Sequence, residues 1–200
     1  ALEICKQDRP LSIAIDSSNT IHATYILDNL TDQLWYVTYA TGVDLFNTPE
    51  QVGSSDTLGT VNELDIVIDS SDKPHITFSS ASLSSRVYYN NRVGTAWLSN
   101  SVIIETISGG GRSNSITISD EDIPEISYIN TADNNLTLAL GSDNNPDSAG
   151  QWTLQDVDTD VNDTDNQRGT SSIVNTITGD TWTAYVDSNN YIALAKHADA

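Results

Sequence analysis

One segment of this 200-residue chain is written four times. Ser12-Ile-Ala-Ile-Asp-Ser-Ser-Asn-Thr-Ile-His-Ala-Thr-Tyr25 returns as Asp65-Ile-Val-Ile-Asp-Ser-Ser-Asp-Lys-Pro-His-Ile-Thr-Phe78. It returns more loosely as Ser115-Ile-Thr-Ile-Ser-Asp-Glu-Asp-Ile-Pro-Glu-Ile-Ser-Tyr128, and last as Ser172-Ile-Val-Asn-Thr-Ile-Thr-Gly-Asp-Thr-Trp-Thr-Ala-Tyr185. The matched aromatics Tyr25, Phe78, Tyr128 and Tyr185 step by 53, 50 and 57 residues. Within a copy, apolar and polar residues alternate, a cluster of turn formers intervenes, and alternation resumes; that is the period of strands. A repeat of this length made of short strands predicts an all-β propeller rather than a helical solenoid.

The first copy sets the expected order. Residues 12–16 form one strand, 21–27 a second, and the aromatic run Leu34-Trp-Tyr-Val-Thr-Tyr39 a third. A weaker fourth strand falls between residues 45 and 52, with Pro49 marking an edge. Third strands recur at residues 86–89, 136–140 and 191–194, and fourth strands at 97–107 and 151–157. The last copy ends after its third strand, while Leu2-Glu-Ile-Cys5 precedes the first copy without a partner. The economical solution is one domain over residues 1–200: a β-propeller of four blades of four antiparallel strands, closed by the N-terminal strand. The blades then span about residues 11–63, 64–114, 115–171, and 172–200 with 1–6. The rival solution is a part of a larger propeller.

The Lys73-Pro-His-Ile76 segment, followed by Val87-Tyr-Tyr89 and Gly94-Thr-Ala-Trp97, resembles a repeat of secreted bacterial and archaeal β-propellers. More distantly, Gly179-Asp-Thr-Trp182 is similar to the end of the Asp-box of sialidase-like propellers. The resemblance implies fold and a secreted or cell-surface setting. It does not imply sialidase activity, which would need an arginine cluster and a tyrosine nucleophile. The five arginines, Arg9, Arg86, Arg92, Arg112 and Arg168, share no position of the repeat.

The formal net charge is −20, with eight basic residues against 28 acidic ones. That balance repels nucleic acid and anionic membranes, and no run of apolar residues is long enough to span a bilayer as a helix. Of the acids, 22 are Asp and six are Glu, which suits acidic loops. High-salt solubility and calcium binding both account for such a skew. The single cysteine, Cys5, lies in the candidate closing strand and is expected to be buried; pairing with another chain is the alternative. The absence of methionine and the start at Ala1 fit a removed leader or an excised domain.

Candidate sites follow from departures and clusters. Asp156, Asp158, Asp160 and Asn162 alternate, and Asp163 and Asp165 follow, so a curled loop would converge them on one Ca²⁺. The spacing is not that of an EF-hand, and a solvated acidic linker explains the same residues. Trp35, Trp97, Trp152 and Trp182 are candidate sugar-stacking residues, against a role in packing between blades. His22 and His75 hold one repeat position, filled by Glu125 and Trp182 in the later copies. That mixture argues for an imidazole bonded to a neighbouring turn rather than for a metal ligand. The Gly109-Gly-Gly111 run lacks the residues of a phosphate loop and reads as a connector.

The sequence therefore points to a non-catalytic extracellular module for ligand binding, adhesion or surface assembly, possible partners being a glycan or a cell-surface protein. A carbohydrate-active hydrolase or lyase is one alternative. A self-assembling structural subunit, a homo-oligomer, is the other.

Overall fold

A computed structural model describes residues 9–28, 32–42, 45–54, 56, 58–80, 86–104, 111–159, 161, 170–175 and 178–197. They form four antiparallel sheets in chain order. The first holds β1 (Leu11–Ile15), β2 (Thr20–Asp28), β3 (Asp32–Ala40) and two short outer pieces, β4 (Leu45–Phe46) and β5 (Glu50–Gln51). The second holds β6 (Val61–Ile68), β7 (Pro74–Ser80), β8 (Arg86–Val93), and the short β9 (Ala96–Trp97) and β10 (Val102–Ile103). The third holds β11 (Arg112–Ile118), β12 (Pro124–Asn130), β13 (Asn135–Gly141) and β14 (Trp152–Asp158). The fourth holds β15 (Ser171–Val174), β16 (Thr181–Val186) and β17 (Ile192–His197). One 3-10 turn, Ala149–Gln151, is the helical element among the described residues, and no helix is long and apolar enough to cross a membrane.

Three of the sheets open on the same turn. The Asp16 amide donates to the Thr20 carbonyl, Asp69 to Lys73 and Ser119 to Ile123, at 3.0, 3.0 and 2.9 Å. The third turn residue is left-handed each time: Asn19 (φ 62°), Asp72 (60°) and Asp122 (61°). Asn and Asp adopt that conformation more readily than other non-glycine residues. The leading carboxylate also caps its own turn. Asp16 Oδ1 accepts the Ser18 and Thr20 amides at 2.9 and 2.7 Å, and Asp69 Oδ1 accepts those of Ser71 and Lys73 at 2.9 and 2.8 Å.

The fourth turn differs. Asn175 pairs with Asp180, which adds one residue, and Gly179 takes the left-handed place (φ 74°). The residue-by-residue match of the sequence copies therefore slips by one in β15. Ser171 pairs with Ala184 as Ser12 pairs with Thr24, so Ser171, not Ser172, is the counterpart of Ser12.

Successive sheets stack face to face, and each seam has its own apolar core. Ile26, Leu34 and Tyr36 of the first sheet meet Leu64, Ile66, Ile76 and Phe78 of the second. Val87 and Tyr89 meet Ile116, Ile126, Tyr128 and Trp152. Ile129 and Leu136 meet Tyr185, with Val161 beside them. The last glycine of the 109–111 run is more than a connector. Gly111 is left-handed (φ 78°), and a Cβ there would run into the Val87 side chain. Gly109 and Gly110 lie outside the described residues.

Among the described residues the sheets do not close on themselves: no seam of comparable extent joins β15 back to β1. The first strand of the chain is exposed on one face, with Leu11, Ile13 and Ile15 at 67, 64 and 59%. The expectation of four closed blades is thus not met by the described residues, and the segment from Leu2 to Cys5 lies outside them.

Polar links run across the seams near the first strands. Asp65 accepts Ser12 Oγ and the Ile66 amide on one oxygen, at 3.0 and 2.9 Å. It accepts Ser115 Oγ and the Ile116 amide on the other, at 3.0 and 3.1 Å. One carboxylate therefore ties three sheets. Hydrogen bonds to a charged acceptor contribute about 1.5–3 kcal/mol each where they are shielded. Asp65→Ala is expected to lower the unfolding free energy in urea by about 2–3 kcal/mol, and Asp65→Asn by less, because one oxygen remains. An unchanged midpoint for Asp65→Ala would remove Asp65 as a link.

Candidate ligand-binding site

Two sheets carry the same buried triad. In the first, His22 lies between Asp16 Oδ2, 3.1 Å from Nε2, and the Tyr36 hydroxyl, 2.6 Å from Nδ1. In the second, His75 lies between Asp69 Oδ2 at 3.3 Å and the Tyr89 hydroxyl at 2.6 Å. The carboxylate accepts only, so Nε2 carries the proton and Nδ1 accepts from the tyrosine. Burial pushes Tyr36 up to about 12, and Tyr89 higher still, so both stay donors. The sequence expectation of an imidazole bonded to a neighbouring turn holds for both histidines. The later sheets lose the triad: Glu125 replaces the histidine and contacts the Thr181 hydroxyl of the fourth sheet, while Leu138 stands where tyrosine stood.

Only the first triad borders an open space. A cleft of about 280 Å³ lies between the first two sheets. Asp16, His22, Tyr36 and Thr38 line one wall, and Asp72, Lys73 and Arg92 the other. Register explains the arrangement. Thr38 sits opposite His22, and Arg92 sits opposite Trp97 on the face of β8 that looks back at the first sheet. Arg92 Nη2 donates to Glu50 Oε1 of the first sheet at 3.0 Å and to the Thr95 carbonyl at 3.2 Å. Its guanidinium carbon is 5.9 Å from the Tyr36 ring centre, and its Nε is buried without a hydrogen-bond partner.

The lining carboxylates are already occupied. Burial raises the Asp16 carboxyl, but hydrogen bonds from His22, Thr20 and Ser18 outweigh it and hold the group below its ordinary value. Asp72 accepts Ser17 through its amide on one oxygen (2.8 Å) and its hydroxyl on the other (2.7 Å).

The equivalent space at the second seam is covered. Gly141 takes the place of Arg92, opposite Trp152. The loop that follows is longer, and its Asn144 carbonyl accepts Lys73 Nζ at 3.0 Å, with Asn145 Oδ1 also in contact. Lys73 is thereby pinned, and burial pushes its ammonium below the ordinary lysine value.

The four tryptophans do not share a platform. Trp97 packs edge-on against Tyr36 and Trp152 against Tyr89, each with ring centres 4.9 Å apart, so both fill seams. Trp35 and Trp182 lie on the outward faces of the first and fourth sheets. Of the candidate calcium ligands, Asp156 and Asp158 are in β14. Asp156 accepts Asn135 Nδ2 at 2.9 Å and Thr137 Oγ1 at 3.0 Å, and Asp158 accepts the Tyr185 hydroxyl. Asp160, Asn162, Asp163 and Asp165 lie outside the described residues, among which no group of three or more His, Cys, Asp or Glu is placed to hold a metal ion.

Of the cleft residues, His22 alone is singled out by the sequence, and there as a turn contact rather than as part of a site. A signal for Arg92 existed: it stands where the repeat has Tyr39 and Gly141, and it is one of eight basic residues.

No family model and no curated protein sequence matches the chain. Solved structures do. A protein of unknown function from Dyadobacter fermentans aligns with a TM-score of 0.65 at 9% identity, over 92% of this chain and 51% of that one. An arginine-to-alanine triple mutant of AofleA from Arthrobotrys oligospora aligns at 0.66 and 11% identity, over 96% and 54%. A Hadza microbial sialidase aligns at 0.61 and 10% identity, over 96% and 44%. The likeness is of fold, propeller-like and all-β, and the chain spans about half the length of these structures.

The buried triad predicts acid sensitivity. Burial pushes His75 below its ordinary value of 6.5. The unfolded state therefore binds more protons as pH falls through that value, and stability falls with it. Burial raises Asp69, but bonds from His75, Lys73 and Ser71 hold it below 3.8, so its contribution is lost at lower pH still. The melting temperature should drop between about pH 7.5 and 5, and His75→Gln should flatten that part of the curve. A wild-type curve level across the window would overturn the neutral, buried assignment of His75.

Proposed function

We propose that this protein is a non-catalytic ligand-binding module that takes one sugar residue of a glycan into the cleft between its first two sheets. The observation that carries the reading is the state of the lining groups. Hydroxyls of Thr20 and Thr38 and the guanidinium of Arg92 stand at the cleft, while both lining carboxylates are committed to hydrogen bonds within the protein. Groups fixed in this way can orient a polyol and cannot readily exchange a proton with it.

The size agrees. A cleft of about 280 Å³ falls just below the ~300–1,000 Å³ of most small-molecule pockets, enough for a single ring. The fold context agrees too, since a sialidase is among the structures of similar fold. A hydrolytic reading would draw on Tyr36 as the nucleophile beside Arg92. Burial pushes that hydroxyl up to about 12, and it already donates to His22, so binding is favoured over bond cleavage. A secreted or cell-surface setting and a role in adhesion belong to the same proposal.

Titration calorimetry against glycans selected on an array tests it. Arg92→Ala should weaken binding at least tenfold. Arg92→Lys should also weaken it, because an ammonium does not reproduce the planar fork. Both variants should keep the wild-type circular dichroism spectrum, since the pairing of Arg92 with Glu50, itself 39% exposed, contributes little to stability. Unchanged affinity in Arg92→Ala would place the ligand elsewhere, and released reducing sugar from a bound glycan would overturn the non-catalytic reading.

A further inference from the structure

The two ends of the stack carry the two halves of one seam. In the second and third sheets the first strand is buried against the preceding sheet: Ile66 is 5% exposed and Ile116 4%. Ile13 holds the same register position in β1 and is 64% exposed. On the opposite face the third strand is buried against the following sheet. Leu34, Val87 and Leu136 are exposed by 1, 0 and 1%, and Tyr36, Tyr89 and Leu138 by 2, 0 and 2%. Their counterparts in β17, by register, are Ile192 and Leu194, at 83 and 66%. Ile173 of β15 shares that face at 69%, and Trp182 pairs with it. On the other end, Trp35 shares the face of Leu11, because both pair with Tyr25.

We infer that these two faces are covered by a second copy of this chain, joined head to tail, so that the last sheet of each copy packs on the first sheet of the other. Three observations commit the occupant. The faces are complementary by construction: each is the kind of surface that the other meets at every internal seam. Both are apolar with an aromatic, a composition typical of buried interface cores. The structures of similar fold are about twice as long as this chain, which covers 51 and 54% of two of them, so two copies supply the sheets that one lacks. A two-fold axis perpendicular to the direction of stacking makes both joints at once, and the contact closes without growing into a filament. The net charge of −20 per copy opposes association and is screened by salt.

Light scattering and analytical ultracentrifugation of the full chain test this, with Ile13→Lys and Leu194→Glu as probes. The wild type should run at twice its 21.6 kDa mass, and more completely as salt is raised. Each variant alone should be monomeric with an unchanged circular dichroism spectrum, because each places an unpaired charge in both dry joints. Mixed in equal amounts, they should form a heterodimer: one joint then holds the lysine against the glutamate and the other is wild type. A monomeric wild type at high salt would overturn the proposal and leave further sheets of a longer polypeptide as the cover. Variants that stay dimeric alone, a mixture that stays monomeric, or growth beyond two copies would overturn it equally. None of these outcomes depends on a glycan, so the ligand reading stands or falls separately.

Discussion

Every sheet in this protein is apolar on both faces, and only another sheet can cover them. That constraint organises the rest. A sheet with two apolar faces must bury both of them against other elements. Stacked, each face finds a partner, and the seam rather than the sheet becomes the unit of stability. The first two cores confirm it, since each joins the third strand of one sheet to the first two strands of the next. The polar links follow the same rule. Asp65 joins three first strands, and the turn serines Ser17 and Ser70 reach forward to Asp72 and Asp122 in the next sheet. The repeat in the sequence is therefore a repeat of joints, and its period is the distance from one joint to the next.

A stack of equivalent joints yields a site only where one joint fails to close. The triad of carboxylate, histidine and tyrosine appears twice with nearly the same geometry, so the triad itself does not distinguish a site. What differs is the covering. At the first seam a tight hairpin turns at Gly94, with φ 62°, between Val93 and Ala96. At the second, the loop between Gly141 and Gln151 folds over the space and is fastened to Lys73. The first triad is left beside solvent with an arginine for company, and the second becomes pure structure, with His75 and Tyr89 at 0% exposure. Whether a cleft stays open in this arrangement is a property of loop length.

Much of this was legible in the sequence. Alternation gave the strands, and the recurring Asp-Ser-Ser clusters gave the turns. The histidine position points to a turn contact because later copies fill it with Glu125 and Trp182, and the structure bonds it to the turn aspartate. The cleft was not legible, because it is defined between sheets. Arg92 faces Tyr36 across 56 residues of sequence, and no spacing within one repeat reports that meeting. The slip at Ser171 was hidden for a related reason. One extra turn residue shifts a strand without changing its alternation, so equal-length matching passes over it. The tryptophans misled as a set because one residue type serves two places: Trp97 and Trp152 share a register position in the seams, whereas Trp35 and Trp182 lie on the two end faces.

Charge sharpens the role of the first seam. In a chain with 28 acids, a basic side chain is scarce, and three of the eight stand at this joint. Arg9 meets Asp32 at 3.0 Å, and Asp32, nearly buried, also accepts the Val61 amide from the second sheet. Arg92 meets Glu50 across the same seam, and Lys73 lines the same cleft as Arg92. A buried carboxylate without a partner is costly, so Arg9 is explained by Asp32. Glu50 is exposed enough to need no such partner, with 39% of its side chain in water. The pairing of Arg92 with Glu50 therefore does little for stability. Its effect is to hold a guanidinium at the mouth of a cleft in an otherwise strongly negative protein, where a polar ligand can use it.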